Sequence, residues 1–273
     1  MNSIRNRLRF CPSNPRAAGV VVAVWVSTLL LGLTGCSDTQ QGEGPGHRDQ
    51  PLAISPQQEL EVGRAAYKEI LAKARVVRGG PQVERVRKIG ERIAAVVAIE
   101  PLMREINLHV APDEFEWEYS VLENDQINAF CLPGGKICVF TGLLAAVRND
   151  DQLAAVLSHE ISHALAHHVS ERMARERTVG HGLLSLSYDR QQESEADHIG
   201  VFLMTFAGYD PNQALAFWQE MEEAGHGRIP EILSDHPSDE RRMQQLKGWI
   251  PLAKAAKQAY DEHRIAPEPA GSR

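Results

Sequence analysis

The residues with the clearest chemical potential form the segment His159-Glu160-Ile161-Ser162-His163. Side chains four residues apart on a helix lie one turn apart on the same face, so the two imidazoles can bind one metal ion together. Zinc is held by imidazole nitrogens at about 2.0–2.1 Å. Glu160 follows the first histidine and can accept a proton from a metal-bound water. The segment therefore predicts a metal centre with its own general base.

A catalytic zinc ion usually has three protein ligands and one open position, so a third ligand must come from another segment. Glu193 and Asp197 lie in an acidic stretch further along the chain and are again four residues apart. One of these carboxylates can bind zinc while the other hydrogen-bonds a ligand imidazole and fixes its tautomer. Spacing alone does not separate Glu193 from Glu195 as the third ligand.

Two more histidines, His167 and His168, follow the motif. A side chain one further turn along a straight helix lies about 6 Å beyond His163, too far to share an ion comfortably with His159. We therefore expect His167 and His168 to lie on the helix surface or to support the ligands from outside.

Helices and a small sheet must position these residues. Asn149 or Asp150 is a typical N-cap for the motif helix, and Ser55 followed by Pro56 is typical of another helix start. Apolar periodicity predicts helices at about 56–75, 81–98, 150–175, 188–206, 211–224 and 239–249. Alternation predicts strands at about 105–110, 115–122, 127–131 and 136–140. The predicted fold class is α+β, mostly helical, with the sheet preceding the motif helix.

The first 36 residues have the pattern of an export signal. Basic residues lead into an apolar run of about 15 residues at 17–31, which is short for a spanning helix of about 20. An uncleaved single-span anchor is the alternative. The ending LTGC resembles a bacterial lipobox, which implies cleavage before Cys36 and acylation of its side chain. With Ser37 next, and a Gram-negative host assumed, we expect a cell-envelope lipoprotein anchored in the outer membrane and facing the periplasm.

Composition places the rest of the chain among ordinary globular proteins, with 43% hydrophobic and 24% charged residues in a length of 273. The formal net charge of -7 argues against nucleic-acid binding, which depends on Lys and Arg. The polar, Gly- and Pro-rich residues after Cys36 predict a flexible tether. We therefore divide the chain into a signal peptide at 1–35, a tether at 36–55, a folded domain at 56–263 and a disordered tail at 264–273.

Three separated motifs together resemble the zinc metallopeptidase family of CAAX prenyl protease, HtpX and BepA type, in its soluble lipoprotein branch. The histidine motif is followed roughly thirty residues later by Glu193-Ser194-Glu195-Ala196-Asp197, and is preceded by NAFCLPGG at 128–135. The likeness covers about 56–250. It implies a zincin-like (gluzincin) peptidase domain with one Zn²⁺ per chain. It also implies Glu193, and not Glu195, as the third ligand, with Asp197 as the carboxylate that supports a ligand imidazole.

The same resemblance implies how substrate binds. A peptide would add as an extended strand beside the edge strand at 128–135, through main-chain hydrogen bonds. Asn128, Gly134 and Gly135 are the expected substrate contacts; a tight hairpin turn is the alternative reading of the glycines. The implied substrates are unfolded or misassembled envelope proteins, with the outer-membrane assembly machinery as a candidate partner and the membrane reached through the lipid anchor.

A later histidine, His236, lies in a loop before the last helix. The resemblance implies that it occupies the fourth zinc position in a latent state. Stabilising the oxyanion of the reaction is a second possible role. An ordinary loop histidine is the third reading. Arg241, in the following helix, positions this loop, pairs with a carboxylate or lies on the surface.

Two cysteines flank the hairpin of the edge strand. If Gly134-Gly135 is a two-residue turn, Cys131 lies opposite Cys138. A disulfide between directly opposed strand residues is strained, so we favour two buried thiols over a bridge.

The main functional hypothesis is a zinc endopeptidase for quality control of misfolded or unassembled envelope proteins, with Glu160 as the general base. A chaperone-like assembly factor with a latent zinc site is the first alternative. An enzyme that hydrolyses another bond, such as a cell-wall amide, is the second. Glu160 favours catalysis because a binding module has no need of a base.

Overall fold

The computed structural model of the chain describes residues 40–44, 48–179, 189–224, 231–236 and 240–264. Its helices are α1 Pro56–Lys73, α2 Pro81–Val96, α3 Glu100–Glu105, α4 Thr141–Ala146, α5 Asp150–Leu165, α6 His168–Val179, α7 Arg190–Phe206, α8 Asn212–Ala224, α9 Glu231–Asp235 and α10 Glu240–Asp261. Its strands are β1 Gln40–Gly44, β2 Arg48–Leu52, β3 Val76–Val77, β4 Glu118–Leu122, β5 Ala129–Leu132 and β6 Lys136–Phe140. The predicted α+β, mostly helical fold class is confirmed.

A four-stranded sheet stands beside the motif helix, with the strand order β3-β4-β6-β5. β4 and β6 are parallel, whereas β3–β4 and β5–β6 are antiparallel. β5 pairs only with β6 among the described strands, so it is an edge strand of this sheet. β1 and β2 form a separate antiparallel pair.

The hairpin between β5 and β6 has a three-residue loop, since Leu132 is paired with Lys136. The expected two-residue turn is therefore wrong by one residue in register. Cys131 lies opposite Ile137, and Cys138 lies one position further, on the other face of the sheet. Both cysteines are buried and free, so the preferred reading of two buried thiols agrees with the structure.

Helix α5 lies at the centre of the molecule, between the sheet, α2, α7 and α8. All of its residues from Gln152 to Leu165 are buried. Helix α7 comes very close to it, because a Cβ on Gly200 would lie 3.2 Å from the backbone nitrogen of His159. The two helices that carry the predicted ligands are thus packed almost backbone to backbone.

The predicted helix at 150–175 is divided in the structure. α5 ends at Leu165, and His167 adopts a left-handed backbone with φ of 52°. Its imidazole pairs with the buried Glu59 of α1, which stabilises this uncommon conformation. α6 then starts at His168.

Two other sequence predictions differ from the structure. The alternating segment at 105–110 is not a strand: α3 ends at Glu105, and the following loop buries Ile106 and Leu108 in the core. The alternation of apolar and polar residues here reflects which side chains of the loop are buried, and not pairing in a sheet. The last helix continues beyond the predicted 249 to Asp261, through Pro251.

The predicted tether at 36–55 also differs from the structure, which forms β1 and β2 within this range. β2 packs against α6, where Ser170 binds the backbone of Ala53 and Ile54 through its hydroxyl oxygen. The predicted signal peptide at 1–35 and most of the predicted tail lie outside the described residues. None of the helices in the described ranges has both the length and the apolar composition that a bilayer crossing requires.

Candidate metal centre

Helix α5 presents the two motif histidines to one point. Its N-cap is Asn149, whose side chain accepts a hydrogen bond of 2.8 Å from the backbone nitrogen of Gln152. One turn apart on the buried face, the Nε2 atoms of His159 and His163 are 3.1 Å from each other. The nitrogens of two buried imidazoles thus face each other, and this arrangement is stable only with a cation or a shared proton between them.

Helix α7 brings a carboxylate to the same point. Asp189 caps it through the backbone nitrogens of residues 191 and 192. Glu193 lies in its first turn, and its carboxylate oxygens are 3.4 Å from His159 Nε2 and 3.3 Å from His163 Nε2. Glu195 points elsewhere, towards Arg48 and His168. The structure thus separates the two glutamates that spacing could not.

His236, the first residue after α9, completes the cluster. Its Nδ1 is 3.2 Å from His159 Nε2 and 2.9 Å from Glu193 Oε1. Its Nε2 is 3.2 Å from Oε1 of Glu160. One imidazole therefore contacts both the predicted ligands and the predicted base.

The four residues could hold one metal ion. Ligand atoms from His159, His163, Glu193 and His236 all lie within 4.8 Å of one another. Four ligands at about 2.0–2.1 Å in a tetrahedron are about 3.3 Å apart. Five of the six pairs among these residues approach within 2.9–3.4 Å when both oxygens of Glu193 are counted. Nitrogen and carboxylate oxygen ligands in this number suit Zn²⁺. The residues present therefore fit zinc.

Asp197 supports the first motif histidine. Its Oδ1 is 3.0 Å from His159 Nδ1, on the opposite side of the ring from the cluster. Arg242 binds both oxygens of Asp197, and its Nη1 is 2.8 Å from Glu193 Oε2. Its guanidinium also lies over the indole of Trp218, 4.3 Å from the ring centre. Arg242 thus ties the supporting carboxylate to the predicted zinc ligand.

Sequence reasoning selected Arg241 and missed Arg242. Arg241 is exposed, whereas Arg242 is buried. A signal was present: two carboxylates one turn apart on a buried helix need a buried cation, and Arg242 shares the inward face with Leu246 and Ile250.

The pKa values of the cluster reflect its burial and its charges. Burial alone would lower the pKa of His159, but the carboxylates of Glu193 and Asp197 outweigh it and raise the pKa to about 9. Burial lowers the pKa of His163 well below its usual value. For Glu193, burial acts upwards, but His236 and Arg242 together hold the pKa well below its usual value. The site therefore combines a stable carboxylate with one imidazole that binds a proton readily and one that does not.

The two histidines after the motif have different positions. His168 is fully buried, and its Nδ1 is 2.8 Å from His163 Nδ1. His167 contacts Glu59 away from the cluster. The left-handed residue turns His168 back towards the ligand, and a straight-helix argument could not foresee this.

The expected substrate contacts have internal partners. The side chain of Asn128 accepts a hydrogen bond from the backbone of Ala129 at 2.9 Å. The carbonyl oxygens of Gly134 and Gly135 accept hydrogen bonds from the backbone nitrogens of Glu116 and Glu118 at 2.9 and 3.0 Å. Both glycines have positive φ, 73° and 84°, which favours the tight-turn reading.

Comparison with known proteins identifies relatives of this chain. The model of Peptidase family M48 matches residues 91–181 and 178–250, which contain all four candidate ligands. The "Mitochondrial metalloendopeptidase OMA1" of Schizosaccharomyces pombe is 32% identical over 229 residues, or 74% of this chain and 64% of the relative. The protein of the same name from Saccharomyces cerevisiae is 30% identical over 260 residues, or 82% of this chain and 74% of the relative.

A bacterial relative is more distant. The "Beta-barrel assembly-enhancing protease" of Escherichia coli is 24% identical over 259 residues, or 83% of this chain and 50% of the relative. The chain thus spans between half and three quarters of the length of these three relatives.

The expected location in the outer membrane, facing the periplasm, is wrong on this comparison. The relatives with 30% identity or more that are named above are called mitochondrial, and the protease connected by name with β-barrel assembly is the more distant one. The prediction depended on the four residues LTGC at 33–36, on Ser37 and on an assumed host. Acylation of Cys36 stays a prediction, since that residue lies outside the described part of the chain.

Proposed function

The chain belongs to Peptidase family M48, and from this membership we propose that it is a zinc-dependent endopeptidase whose active centre is built by α5, α7 and the residue after α9. Membership confirms the family resemblance, and the donor set agrees with the expected zinc cofactor. The observation that carries the proposal is the convergence of His159, His163 and Glu193 beside a buried glutamate, Glu160.

In this proposal His159, His163 and Glu193 hold the zinc ion. When bound, zinc acts as a Lewis acid that polarises the scissile carbonyl and makes water easier to deprotonate. Glu160 accepts the proton of the attacking water and later gives it to the leaving amine nitrogen. Asp197 places its carboxylate 3.0 Å from Nδ1 of His159, and this negative charge favours the tautomer that carries its proton there, on the side away from the cluster.

We assign His236 the role of a gate. A peptidase centre needs an open position, whereas Nδ1 of His236 lies at a fourth corner beside His159 and Glu193. Its Nε2 also contacts Glu160, so the base cannot serve water while the ring remains there. Opening therefore requires the residue after α9 to move. This closed arrangement is also the observation that favours the alternative function, a chaperone-like factor with a latent zinc site.

The proposed substrates are unfolded or unassembled proteins. Edge strand β5 offers main-chain groups to an extended peptide, and this recognition depends little on side chains. A protease for misfolded chains needs such tolerance. The name of the E. coli relative suggests the assembly of β-barrel proteins as one setting.

Cleavage of casein by the full chain tests the proposal, with Glu160→Gln as the critical variant and Glu123→Gln, a surface glutamate, as its matched control. We expect one zinc ion in all three proteins, cleavage by wild type and control, and a loss of about 10²-fold or more in Glu160→Gln. Equal cleavage by Glu160→Gln would refute the mechanism. Zinc without cleavage in wild type, together with cleavage by His236→Ala, would support the gate; zinc without cleavage in every variant would favour the chaperone-like factor.

Zinc content tests the ligand roles separately. Glu193→Gln should lose zinc, whereas Glu195→Gln should retain it at saturating metal because its carboxylate faces Arg48. Equal zinc content in the two variants would contradict the assignment of Glu193 as a ligand.

A further inference from the structure

Arg48, in strand β2, has an unusual environment for a residue that precedes the predicted domain. Its Nε and Nη2 bind the two oxygens of Glu195 at 2.5 and 2.7 Å. Its Nη1 and Nη2 bind the two oxygens of Glu171 at 2.5 and 2.9 Å. One guanidinium is therefore bidentate to two carboxylates from two different helices, α6 and α7.

Glu195 leads from this guanidinium to the metal centre. Its Oε2 is 3.1 Å from Nε2 of His168. The other nitrogen of that ring, Nδ1, is 2.8 Å from Nδ1 of His163. The remaining nitrogen of His163, Nε2, is the one that faces the candidate ligands. Arg48, Glu195, His168 and His163 thus form a continuous chain of hydrogen-bonding groups.

Donor and acceptor rules allow only one arrangement of protons along this chain when His163 is a ligand. Its Nε2 must then be unprotonated, so its proton is on Nδ1 and is donated to Nδ1 of His168. His168 must therefore carry its own proton on Nε2, and this proton is donated to Glu195. A carboxylate bound to arginine can only accept, so Glu195 favours this tautomer and excludes the opposite one.

Resting on the ligand role proposed for His163, we propose that Arg48 is a positioning residue for the metal centre. It holds Glu195, which sets the tautomer of His168 and, through it, the nitrogen that His163 presents to zinc. Strand β2 is then part of the peptidase centre and not a tether.

The opposite side of the centre has the same construction. His159 is supported by Asp197, and Asp197 is held by Arg242 through both oxygens. Each motif histidine therefore has a carboxylate behind it that is fixed by an arginine. The chain of groups from Arg48 contains one more imidazole, because His168 lies between His163 and Glu195.

The strand is held in place independently of Arg48. The side-chain nitrogen of Gln50 donates to the carbonyl of Ala166 at 2.6 Å and to Glu171 at 3.0 Å. The backbone nitrogen of Ala53 contacts Ser170. These bonds place β2 against the corner between α5 and α6, so a change at Arg48 alone leaves the strand anchored.

The test compares Arg48→Met with Arg85→Met in the full chain. Arg85 is the matched control because it too pairs with a carboxylate, but this is Asp150 in the first turn of α5, distant from the candidate ligands. Zinc affinity is measured by competition with a chelator, and the ligand field by the absorption spectrum of the Co²⁺-substituted protein. Since supporting partners of metal ligands typically contribute 10–100-fold to affinity, we expect about that loss in Arg48→Met, a smaller loss in Arg48→Lys and a change within about twofold in Arg85→Met.

The Co²⁺ spectrum distinguishes positioning from general stability. A purely structural role would lower stability but leave the spectrum of the folded protein unchanged, whereas the proposal expects altered bands in Arg48→Met. If Arg48→Met does not fold, Glu195→Gln, which keeps the volume of the side chain, is decisive in its place. Unchanged zinc affinity and an unchanged Co²⁺ spectrum in the folded variant would overturn this inference, while zinc binding by wild type and the Glu160→Gln result would still support the proposed function. A wild-type protein that binds no zinc would refute both the inference and the proposed function.

Discussion

Arg242 offers a quantitative test of how the centre is held together. Its side chain is buried and binds Asp197, Glu193 and the face of Trp218. Replacing it with methionine keeps much of the volume but leaves two buried carboxylates without their cation. Removing one partner of a buried ion pair typically costs about 3–5 kcal/mol, and we expect a loss in this range for the metal-free protein.

A double-mutant cycle with Asp197→Asn isolates the pair. The amide removes one of the two charges that Arg242 compensates, so the double variant should be less destabilised than the sum of the single variants. The expected coupling is about 1–3 kcal/mol. Glu193 remains charged in the double variant, so the rescue is incomplete.

Urea unfolding in the presence of a chelator gives these free energies, with tryptophan fluorescence as the signal, because Trp218 reports directly on the site. Arg241→Met is the matched control: the side chain is one residue away but exposed, and its loss should change stability by no more than about 0.5 kcal/mol. A cost below about 1 kcal/mol for Arg242→Met, or additivity in the cycle, would refute the view that Arg242 compensates buried charge.

Three further predictions concern the support of the site. Burial would raise the pKa of Glu171, but its bonds to Arg48 and two glutamines hold it at about 2; it therefore stabilises the fold above its unfolded pKa of about 4.3, and this contribution is lost as pH falls towards 2. Unfolding free energies between pH 5 and pH 3 should fall less steeply in Glu171→Gln, and an unchanged slope would contradict this. Gly135→Ala should destabilise the protein by about 1–3 kcal/mol in thermal unfolding, because φ is 84° and the new Cβ would lie 2.7 Å from a tryptophan ring. Gly79→Ala is the control: a Cβ there meets open space, so its effect on stability should be close to zero. Thiol titration of denatured protein should give the same count with and without prior reduction, since Cys131 and Cys138 lie on opposite faces of the sheet; a count that rises on reduction would disprove this.

The close approach of the two motif histidines was predictable because it depends on helix periodicity alone. His159 and His163 share a face in any helix, and the apolar residues around them ensure that this helix is buried. Capping residues such as Asn149 and Asp189 act locally, so the starts of α5 and α7 lie close to where the sequence places them. The α+β class followed from the same local signals.

Contacts between distant segments were not predictable in this way. The choice between Glu193 and Glu195 depends on the rotation of α7 about its axis, which packing at Gly200 determines. The hairpin register depends on one extra loop residue, and the position of His168 depends on a left-handed residue held by Glu59. Arg48 lies in a polar stretch whose composition predicts a tether, and only its two carboxylate partners, each more than 100 positions away, show its importance.

The cluster of candidate ligands has a consequence for how the chain can vary. A bound ion would join α5, α7 and the residue after α9 as a cross-link, with Glu193 and His236 separated by 43 positions and His159 and His236 by 77. The entropy cost of closing such loops grows only with the logarithm of their length, so doubling a loop costs about 0.6 kcal/mol. The connections between helices in the segments between the ligands can therefore lengthen or shorten at little cost, whereas α7 and α8, which pack on α5, cannot. One fixed metal centre can therefore be kept in chains whose connecting loops differ in length.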